Sequence, residues 1–318
     1  MIGGERETLN SVNGVDETSP NSHIPVLTDR LAELIRLPKD GTVIDATVGH
    51  GGHSLLFGGA LGPDGLILGM DVDEACVERA RTRLSSLACR VILVRENFRR
   101  VAETFAACGA GKADLIFADL GFCSAQLRET ERGLSFQEDM PLDMRLDDRL
   151  ERTAADIVNG YDEKSLADLI FKYGEDRASR RIARFIVQNR KGRRIETTGD
   201  LAGIIGRALG QPARSRKYRV HPATRTFQAL RIAVNDELGS LEDLLCAAPD
   251  LLKQDGLIGV ISFHSLEDRI VKWDFRDKAA KGIYEIVTKK PIVAGEDEVR
   301  CNPRARSAKL RIARFRAT

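Results

Sequence analysis

A glycine-rich turn next to a carboxylate is the first feature of this sequence that could do chemistry. The segment TVIDATVGHGGHS places Asp45 at the end of an apolar, strand-like run and follows it with Gly49, Gly51 and Gly52. Glycines at such a turn let the backbone approach a ligand closely, and the N–H groups that open the next helix point toward that ligand. The spacing predicts a nucleotide-binding turn, although a tight structural turn would show the same glycines.

A second carboxylate, Asp71, follows the run LILGM and lies 22 positions after Gly49. A carboxylate at this place accepts hydrogen bonds from the ribose hydroxyls of an adenosine moiety, in NAD and S-adenosylmethionine alike. Asp73 is the alternative ligand, and either residue could instead cap the next helix. Ser54 stands where a dinucleotide fingerprint has its third Gly or Ala, so the pattern resembles the first motif of class I methyltransferases more closely.

Polar side chains also follow the third and fourth strand-like runs. Asn97 and Phe98 come after RVILV, where Phe98 would stack on an adenine or pack in the core. Asp119 ends ADLIFADL, and the loop after it carries Ser124 and Gln126. Asp119 accepting a hydrogen bond from an exocyclic amine would help to free the nitrogen lone pair for in-line attack on a sulfonium methyl group, a displacement that depends mainly on alignment.

Two further features suggest a substrate site. His264 follows the run LIGVISF, where it would line a target-base pocket; Ser265 with Asp268 also resembles a helix capping box, and both interpretations stay open. In the predicted helix after HPA, a polar stripe faces RNA or water. Its members are Arg225, Gln228, Arg231 and Asn235.

The charge distribution indicates a polyanionic partner. The net charge is only +2, yet residues 177–231 carry 15 Lys and Arg against two acids, and residues 300–316 carry seven and no acid. Clustered basic residues are the electrostatic footprint of nucleic acid, and solvated helix faces are the alternative. Within the first cluster we predict RNA contacts at Arg214, Arg216 and Lys217.

The elements that must position these residues alternate between strand and helix from residue 43 onward. This alternation predicts an α/β fold with a doubly wound, mostly parallel sheet. Helical periodicity without strands fills residues 128–218, which predicts a helical substrate-recognition insertion between two parts of one methyltransferase-like domain, residues 23–127 and 219–318. Strands are again predicted at LIGVISF and at residues 284–288 and 309–315, with the turn KQDG before the first and a single helix TRTFQALRIAVNDELGSLEDLL upstream.

Composition excludes several classes. The six cysteines form no CxxC pair or His/Cys cluster, so no metal site or disulfide framework is predicted. No signal peptide and no run of about 18 apolar residues is found, which favours a cytosolic protein without membrane contact. The polar residues 1–22 are predicted to be a disordered leader.

Taken together, six blocks in order resemble one family, the bacterial (cytosine-N4)-methyltransferase of small-subunit ribosomal RNA known as MraW. The blocks are HIPVL at 23–27, GGHS at 51–54, ERG at 131–133 with PLDMR at 141–145, HPATRTFQALRIAVNDE at 221–237, ISFHSLEDRI at 261–270 and NPRARSAKL at 302–310.

The resemblance implies S-adenosylmethionine-dependent methylation of the exocyclic N4 of a decoding-centre cytidine in 16S ribosomal RNA, within the 30S particle. It leaves open free RNA as substrate, a homodimer, another RNA target, and a catalytically silent ribosome-assembly factor. The residues predicted to act at the reaction centre are Asp119, Ser124 and His264. Carried over position by position, the cofactor contacts fall on Gly51, Gly52, His53, Asp71, Phe98, Asp119 and Gln126.

Three departures from the family pattern mark this chain. It has VGHGGH for the usual FGRGGH, DVDE for DRDP, and LGFCSAQ for LGVSSPQ. The first two resemble packing or surface variation. The third places Phe122 and Cys123 beside the predicted reaction centre while Asp119, Ser124 and Gln126 are kept.

Overall fold

A seven-stranded sheet forms the centre of the structure, a computed structural model that describes residues 24–122, 132–135, 138–210 and 221–316. Strands β1 to β5 are parallel, and β7 pairs antiparallel with both β5 and β6. The order across the sheet is β3-β2-β1-β4-β5-β7-β6, so it reverses direction between β1 and β4. Open α/β sheets bind ligands at the carboxyl ends of strands at such a point. The strands are β1 (Thr42–Asp45), β2 (Leu66–Asp71), β3 (Arg90–Arg95), β4 (Ala113–Asp119), β5 (Leu252–Ser262), β6 (Tyr284–Ile286) and β7 (Lys309–Phe315).

Both faces of the sheet are covered, which confirms the predicted doubly wound fold. Successive side chains of a strand point to opposite faces. Val43 and Ile67 belong to the core that the first two helices cover, whereas Ile44 and Leu68 belong to the core that the fourth helix covers, and all four are fully buried. The helices of this first half are α1 (Thr28–Leu34), α2 (Gly52–Gly58), α3 (Glu74–Leu84) and α4 (Val101–Ala107).

A helical unit with its own core follows β4. Apolar positions such as Leu166, Ile170, Ile182 and Ile205 recur at helical spacing and meet in one buried cluster. Phe227 belongs to the same cluster, so the first helix after residue 218 shares the core of the insertion, and the domain boundary at residue 218 stays a prediction. The helices are α5 (Ala154–Gly160), α6 (Glu163–Gly174), α7 (Ser179–Asn189), α8 (Thr198–Leu209) and α9 (Thr224–Asn235).

Two predicted element boundaries are wrong. The single helix expected from residue 224 onward breaks at Asp236, whose φ of 47° is left-handed, a conformation that a short polar side chain tolerates. The break lets α9 pack in the helical unit while the next helix packs on the sheet. The predicted turn KQDG lies inside β5 as an irregularity in the pairing with β4, at which Asp255 has φ 64°.

The remaining helices complete the sheet's cover, and β6 and β7 confirm the two predicted last strands. No helix in the described part of the chain is both long enough and apolar enough to cross a membrane. The helices are α10 (Glu237–Leu251), α11 (Ser265–Ala280) and α12 (Glu296–Cys301).

Candidate active site

A pocket, here called the strand-end pocket, opens at the carboxyl ends of β1, β2 and β4, where the strand order reverses. Its walls combine the backbone of the glycine turn with carboxylates, an aromatic ring and apolar side chains. The predicted ligand side of the sheet therefore carries a concave site. Its lining includes Gly49, Asp71, Glu96, Asn97, Phe98, Asp119, Leu146, Asp147 and Asn235.

The two carboxylates after β2 have different roles. Asp71 faces the pocket; its Oδ2 accepts a hydrogen bond from Gly49 N at 3.0 Å and its Oδ1 accepts one from Asp73 N at 2.9 Å. A carboxylate has about four acceptor positions, so these two bonds orient it without exhausting it. Asp73 is buried and caps α3 by accepting from Ala75 N at 3.1 Å. Of the two candidates, Asp71 is the one that lines the strand-end pocket, and its contact with a ribose stays a prediction.

The glycine turn approaches the pocket through Gly49, which has φ +49°. Gly51 has φ +77°, and a Cβ there would lie 3.1 Å from Leu84; a Cβ on Gly52 would lie 3.1 Å from Pro25. These two glycines are thus required by backbone conformation and by packing against protein. Neither of them lines the strand-end pocket, so their predicted cofactor contacts stay predictions.

The residues after β3 form another wall. Phe98 lines the pocket and also packs against the sheet's core, so its core role is confirmed and its stacking on an adenine stays a prediction. Asn97 Oδ1 accepts from Arg99 N at 3.0 Å and caps the short 3-10 turn Phe98–Arg100. Glu96, which the sequence did not single out, also lines the pocket, and its Oε1 accepts from Asn97 N at 2.8 Å.

Asp119 ends β4 between the pocket and a buried polar network. Its backbone N donates to Thr47 Oγ1 at 2.7 Å, and its Oδ1 accepts from Gly121 N at 2.9 Å. Its Oδ2 lies 3.6 Å from His53 Nδ1, while His53 Nε2 lies 2.9 Å from the carbonyl oxygen of Val26. Because a carbonyl can only accept, Nε2 carries a hydrogen. His53 is buried and supports Asp119 from behind the pocket wall; its direct cofactor contact stays a prediction.

Asp45 lies deeper in the same network and does not line the pocket. Its Oδ2 accepts from Ser54 Oγ at 2.6 Å, and its Oδ1 accepts from Thr47 N at 3.2 Å. Burial raises the pKa of Asp45, and the Ser54 hydrogen bond opposes that rise. Ser54, the residue that distinguishes this turn from a dinucleotide fingerprint, therefore fixes the start of α2 to the end of β1.

A second, adjoining pocket shares one wall with the strand-end pocket. The shared residues are Asp119, Leu120, Gly121, Phe122 and Glu267. The adjoining pocket is further lined by Gln228, Arg231, His264 and Arg304. Ligands in the two pockets would consequently meet at the end of β4.

His264 lines the adjoining pocket and is the N-cap residue of α11, while its contact with a target base stays a prediction. The helix capping box is formed by His264 and Glu267, and the predicted box of Ser265 with Asp268 is wrong. Glu267 Oε2 accepts from His264 N at 3.2 Å, and His264 Nδ1 accepts from Glu267 N at 3.4 Å. Ser265 instead donates a hydrogen bond to the carboxylate of Glu175, and Asp268 accepts one from the guanidinium of Arg311.

Glu237, His264 and Glu267 each present a possible metal-ligating atom within 4.8 Å of the others. Arg231 already donates two hydrogen bonds to Glu237, at 2.8 and 2.9 Å. Since His264 Nδ1 accepts a hydrogen bond, the hydrogen of the neutral ring is on Nε2, which lies 3.1 Å from Glu267 Oε1 but is poorly aligned for a hydrogen bond. The guanidinium of Arg231 already supplies positive charge beside Glu237, and the hydrogen on His264 Nε2 points into the cluster, so these contacts favour a hydrogen-bonded cluster over a metal site.

Comparison with known families decides the class of protein. The sequence model of the MraW methylase family matches residues 20–316. The chain belongs to this family. The resemblance carried by the six sequence blocks is thereby confirmed, and so is the predicted methyl donor, S-adenosylmethionine.

Relatives of this methylase share almost half of its residues. Proteins named ribosomal RNA small subunit methyltransferase H from Acidobacterium capsulatum and Acaryochloris marina are 47% and 48% identical to it. Both alignments cover 92% of this chain, and they cover 97% and 94% of the two relatives. A protein of the same name from Heliobacterium modesticaldum is 45% identical over 92% of this chain and 97% of its own length.

The polar stripe of α9 divides between the two pockets of the methylase. Arg231 lies in the adjoining pocket, bonded to Glu237 and stacked on Phe122 with its guanidinium carbon 4.0 Å from the ring centroid. Gln228 also lines that pocket and donates from Nε2 to the carbonyl of Tyr173 at 3.0 Å. Arg225 is exposed on the surface. RNA contact by these residues stays a prediction.

Asn235, the last residue of the stripe, has a structural role that the sequence did not reveal. Its Oδ1 accepts from Leu146 N at 2.7 Å, and its Nδ2 donates to the carbonyl of Met144 at 2.8 Å. Met144 is buried in the helical core, whereas Leu146 and Asp147 line the strand-end pocket. The segment that follows PLDMR thus forms a wall of the strand-end pocket and is held in place by hydrogen bonds from the helical unit.

The sequence of this pocket wall contains a repeated Asp-x-Arg pattern. Asp143 and Asp147 each accept side-chain hydrogen bonds from an arginine two positions later, Arg145 and Arg149. The pKa of each aspartate is set by burial, which acts to raise it, and by its arginine, which outweighs burial and lowers it. The repeated Asp-x-Arg pattern stiffens an irregular segment, but nothing in its spacing indicates that it faces a cofactor.

Several predicted residues lie outside the described part of the chain. They are Ser124 and Gln126 in the loop after β4, Arg214, Arg216 and Lys217 before α9, Cys123, and the leader at residues 1–22.

Proposed function

We propose that this methylase transfers the methyl group of S-adenosylmethionine to the exocyclic N4 of a decoding-centre cytidine in 16S ribosomal RNA. The observation that carries the proposal is the shared wall of the two pockets, formed by Asp119 to Phe122 and Glu267. A donor in the strand-end pocket and a base in the adjoining pocket would meet there without a covalent enzyme intermediate.

The strand-end pocket suits the adenosine part of the cofactor. Asp71 presents acceptors for ribose hydroxyls, Phe98 offers an apolar face to an adenine, and Gly49 brings the backbone close. Asp71 is held by two backbone donors, so little side-chain entropy is lost when a ribose binds. Asp147 and Glu96 add negative charge that complements the sulfonium and amino groups of the cofactor.

The wall between the pockets suits amine methylation. Cytosine N4 is a weak nucleophile because its lone pair is delocalised into the ring, and Asp119 accepting an N4–H hydrogen bond would localise that pair. The cofactor would supply an electrophilic methyl group on sulfur. Attack by N4 would form the N–C bond as the S–C bond breaks, with the electron pair leaving on the sulfur of S-adenosylhomocysteine, and the amine would then give one proton to solvent or a neighbouring base. Holding the reactants in line can supply as much as about 7–11 kcal/mol. Asp119 is itself held by two hydrogen bonds, from Gly121 N to its Oδ1 and from its own backbone N to Thr47 Oγ1.

Ribosomal RNA as the substrate is supported by the relatives' names and by the basic residues around the adjoining pocket. Arg231 and Arg304 line it, and the basic cluster that includes Arg214, Arg216 and Lys217 precedes α9. Phosphates compete favourably for such guanidinium groups. We further propose that the cytidine is methylated within the 30S particle in the cytoplasm and that the helical unit helps to recognise this substrate. The proposal is compatible with a monomer or a homodimer.

The proposal is tested by incubating the protein with labelled S-adenosylmethionine and under-methylated small subunits, then mapping modified nucleosides by mass spectrometry. N4-methylcytidine at the decoding centre is expected. Asp119→Ala should abolish transfer while RNA affinity is retained, and Glu103→Ala, on the exposed face of α4, serves as the control. Binding of S-adenosylhomocysteine without any N4-methylcytidine would instead indicate another RNA target or a silent assembly factor.

A further inference from the structure

The single tryptophan of the chain, Trp273, lies on the outer face of α11 with 57% of its surface exposed. Two cations approach its ring: Lys272 Nζ is 5.3 Å from the ring centroid and the guanidinium carbon of Arg276 is 5.5 Å from it. Both distances are within the range of a cation–π interaction. The side chains thus form a flat aromatic surface edged by positive charge.

The charge at this surface is not neutralised by the protein. Within the described ranges, no carboxylate forms an ion pair with Lys272 or Arg276. Cations one turn away in either direction are paired: Arg269 with Glu175 at 2.8 Å, and Lys281 with Asp277 at 2.6 Å. An exposed aromatic ring between two unneutralised cations matches a ligand that combines a flat ring with negative charge.

The helix that carries this surface begins at the adjoining pocket, which His264 lines. Residues four apart lie on one face of a helix, so Ser265, Arg269 and Trp273 form one stripe that begins beside His264 at the pocket mouth. Nine residues separate His264 from Trp273, which corresponds to about 14 Å along the helix axis. A stacked nucleotide spans about 3.4 Å and an unstacked one spans more, so this distance corresponds to at most about four nucleotides.

We propose that Trp273, with Lys272 and Arg276, is a stacking platform for a base in a single-stranded segment of the RNA, within about four nucleotides of the target cytidine. This inference rests on the proposed function, since it takes RNA as the substrate. Single-stranded RNA is favoured because its unstacked bases expose their faces to aromatic side chains while neighbouring phosphates meet the cations. An acidic protein would meet the cations but would not need the exposed ring.

The sole tryptophan makes the unmodified protein its own probe. Trp273 fluorescence should be quenched on titration with a single-stranded oligoribonucleotide that contains the target cytidine and about six nucleotides on each side. Quenching should be lost when the nucleotides on one side of the target cytidine are removed from the oligoribonucleotide. S-adenosylhomocysteine alone should leave the Trp273 emission unchanged. Equal quenching by heparin, a polyanion without bases, would overturn stacking.

Variants measured by anisotropy of labelled RNA supply the second readout. Trp273→Ala should raise the Kd for RNA by roughly 5- to 150-fold, the range for losing one stacked base. Trp273→Phe should recover most of the affinity, and Lys272→Ala with Arg276→Ala should flatten the dependence of Kd on salt. Val293→Ala is the control, because Val293 is also 57% exposed and lies outside α11.

Outcomes separate this inference from the proposed function. Unchanged RNA affinity in Trp273→Ala, or dissociation of a dimer by that variant in sedimentation equilibrium, overturns the platform while methylation can stand. Quenching by RNA without formation of N4-methylcytidine supports the platform and refutes the proposed reaction. Calorimetric binding of S-adenosylhomocysteine should be the same in wild type and Trp273→Ala, which shows that the variant is folded.

Discussion

Replacing Asp71 and Asp73 separately tests where the ribose of the cofactor binds. Asp71→Asn keeps the shape of the side chain and exchanges one acceptor oxygen for a donor. A hydrogen bond to a charged group contributes about 1.5–3 kcal/mol, so loss of one ribose bond should raise the Kd for S-adenosylhomocysteine roughly 10- to 150-fold. The structure assigns Asp73 to helix capping, so Asp73→Ala should leave this Kd unchanged.

Both variants also change stability, which the experiment must separate from binding. The new amide in Asp71→Asn leaves Gly49 N or Asp73 N without an acceptor, at a cost of about 1–3 kcal/mol. Loss of the cap in Asp73→Ala costs about 0.5–2 kcal/mol. The Kd should therefore be measured by isothermal titration calorimetry well below the unfolding temperature, and the free energy of unfolding by urea titration.

The two measurements make the reasoning refutable. The expected pattern is weakened binding in Asp71→Asn alone and reduced stability in both variants. A larger rise in Kd for Asp73→Ala than for Asp71→Asn would show that Asp73 is the ribose ligand. Unchanged binding in both would remove the adenosine assignment from the strand-end pocket.

Three further predictions concern stability. Arg311→Met removes a hydrogen bond to the partly buried Asp268, which keeps Lys309 as a second cation, and should cost about 1.5–3 kcal/mol in urea unfolding, whereas Arg300→Met breaks an exposed pair and should cost less than about 1 kcal/mol; equal losses would contradict this. Burial acts to raise the pKa of Asp268, but Arg311 and other cations lower it overall. The ionised Asp268 therefore stabilises the fold at pH values above its ordinary pKa of 3.8, and this stabilisation is lost as pH falls below that value. A free energy of unfolding that stays constant between pH 5 and 3, or one that falls equally with pH in Arg311→Met, would argue against this. A Cβ at Gly174 would lie 2.6 Å from the carbonyl oxygen of Arg225, so Gly174→Ala should lower Tm by several degrees, and an unchanged Tm would show that α6 and α9 can separate at little cost.

The sequence alone predicted those parts of the fold that depend on local sequence patterns. Apolar runs predicted the parallel strands β1 to β5, because a parallel strand covered on both faces is mostly apolar, and the two last strands were predicted as well. Asp71, Phe98 and Asp119 were found because residues at the carboxyl ends of parallel strands meet at one edge. The break at Asp236 was missed because helical periodicity continues through it, and only the two different cores on either side require a change of direction.

Contacts between residues that are far apart in the sequence could be identified only from the tertiary structure. His264 caps its helix with Glu267, while Ser265 binds Glu175, 90 positions away, so the local capping pattern was misleading. Leu146 lines the cofactor pocket because Asn235, 89 positions later, holds its backbone.

The sequence by itself determined the family, the sheet and the chemical identity of the residues at the strand ends, since these follow from motif, periodicity and residue type. The tertiary structure decided which carboxylate faces the strand-end pocket, that Gly51 and Gly52 pack against protein, and that two pockets share Asp119 as a wall. The physical reason is that a side chain's direction depends on the backbone dihedrals and on partners far away in the chain, neither of which is encoded in local spacing.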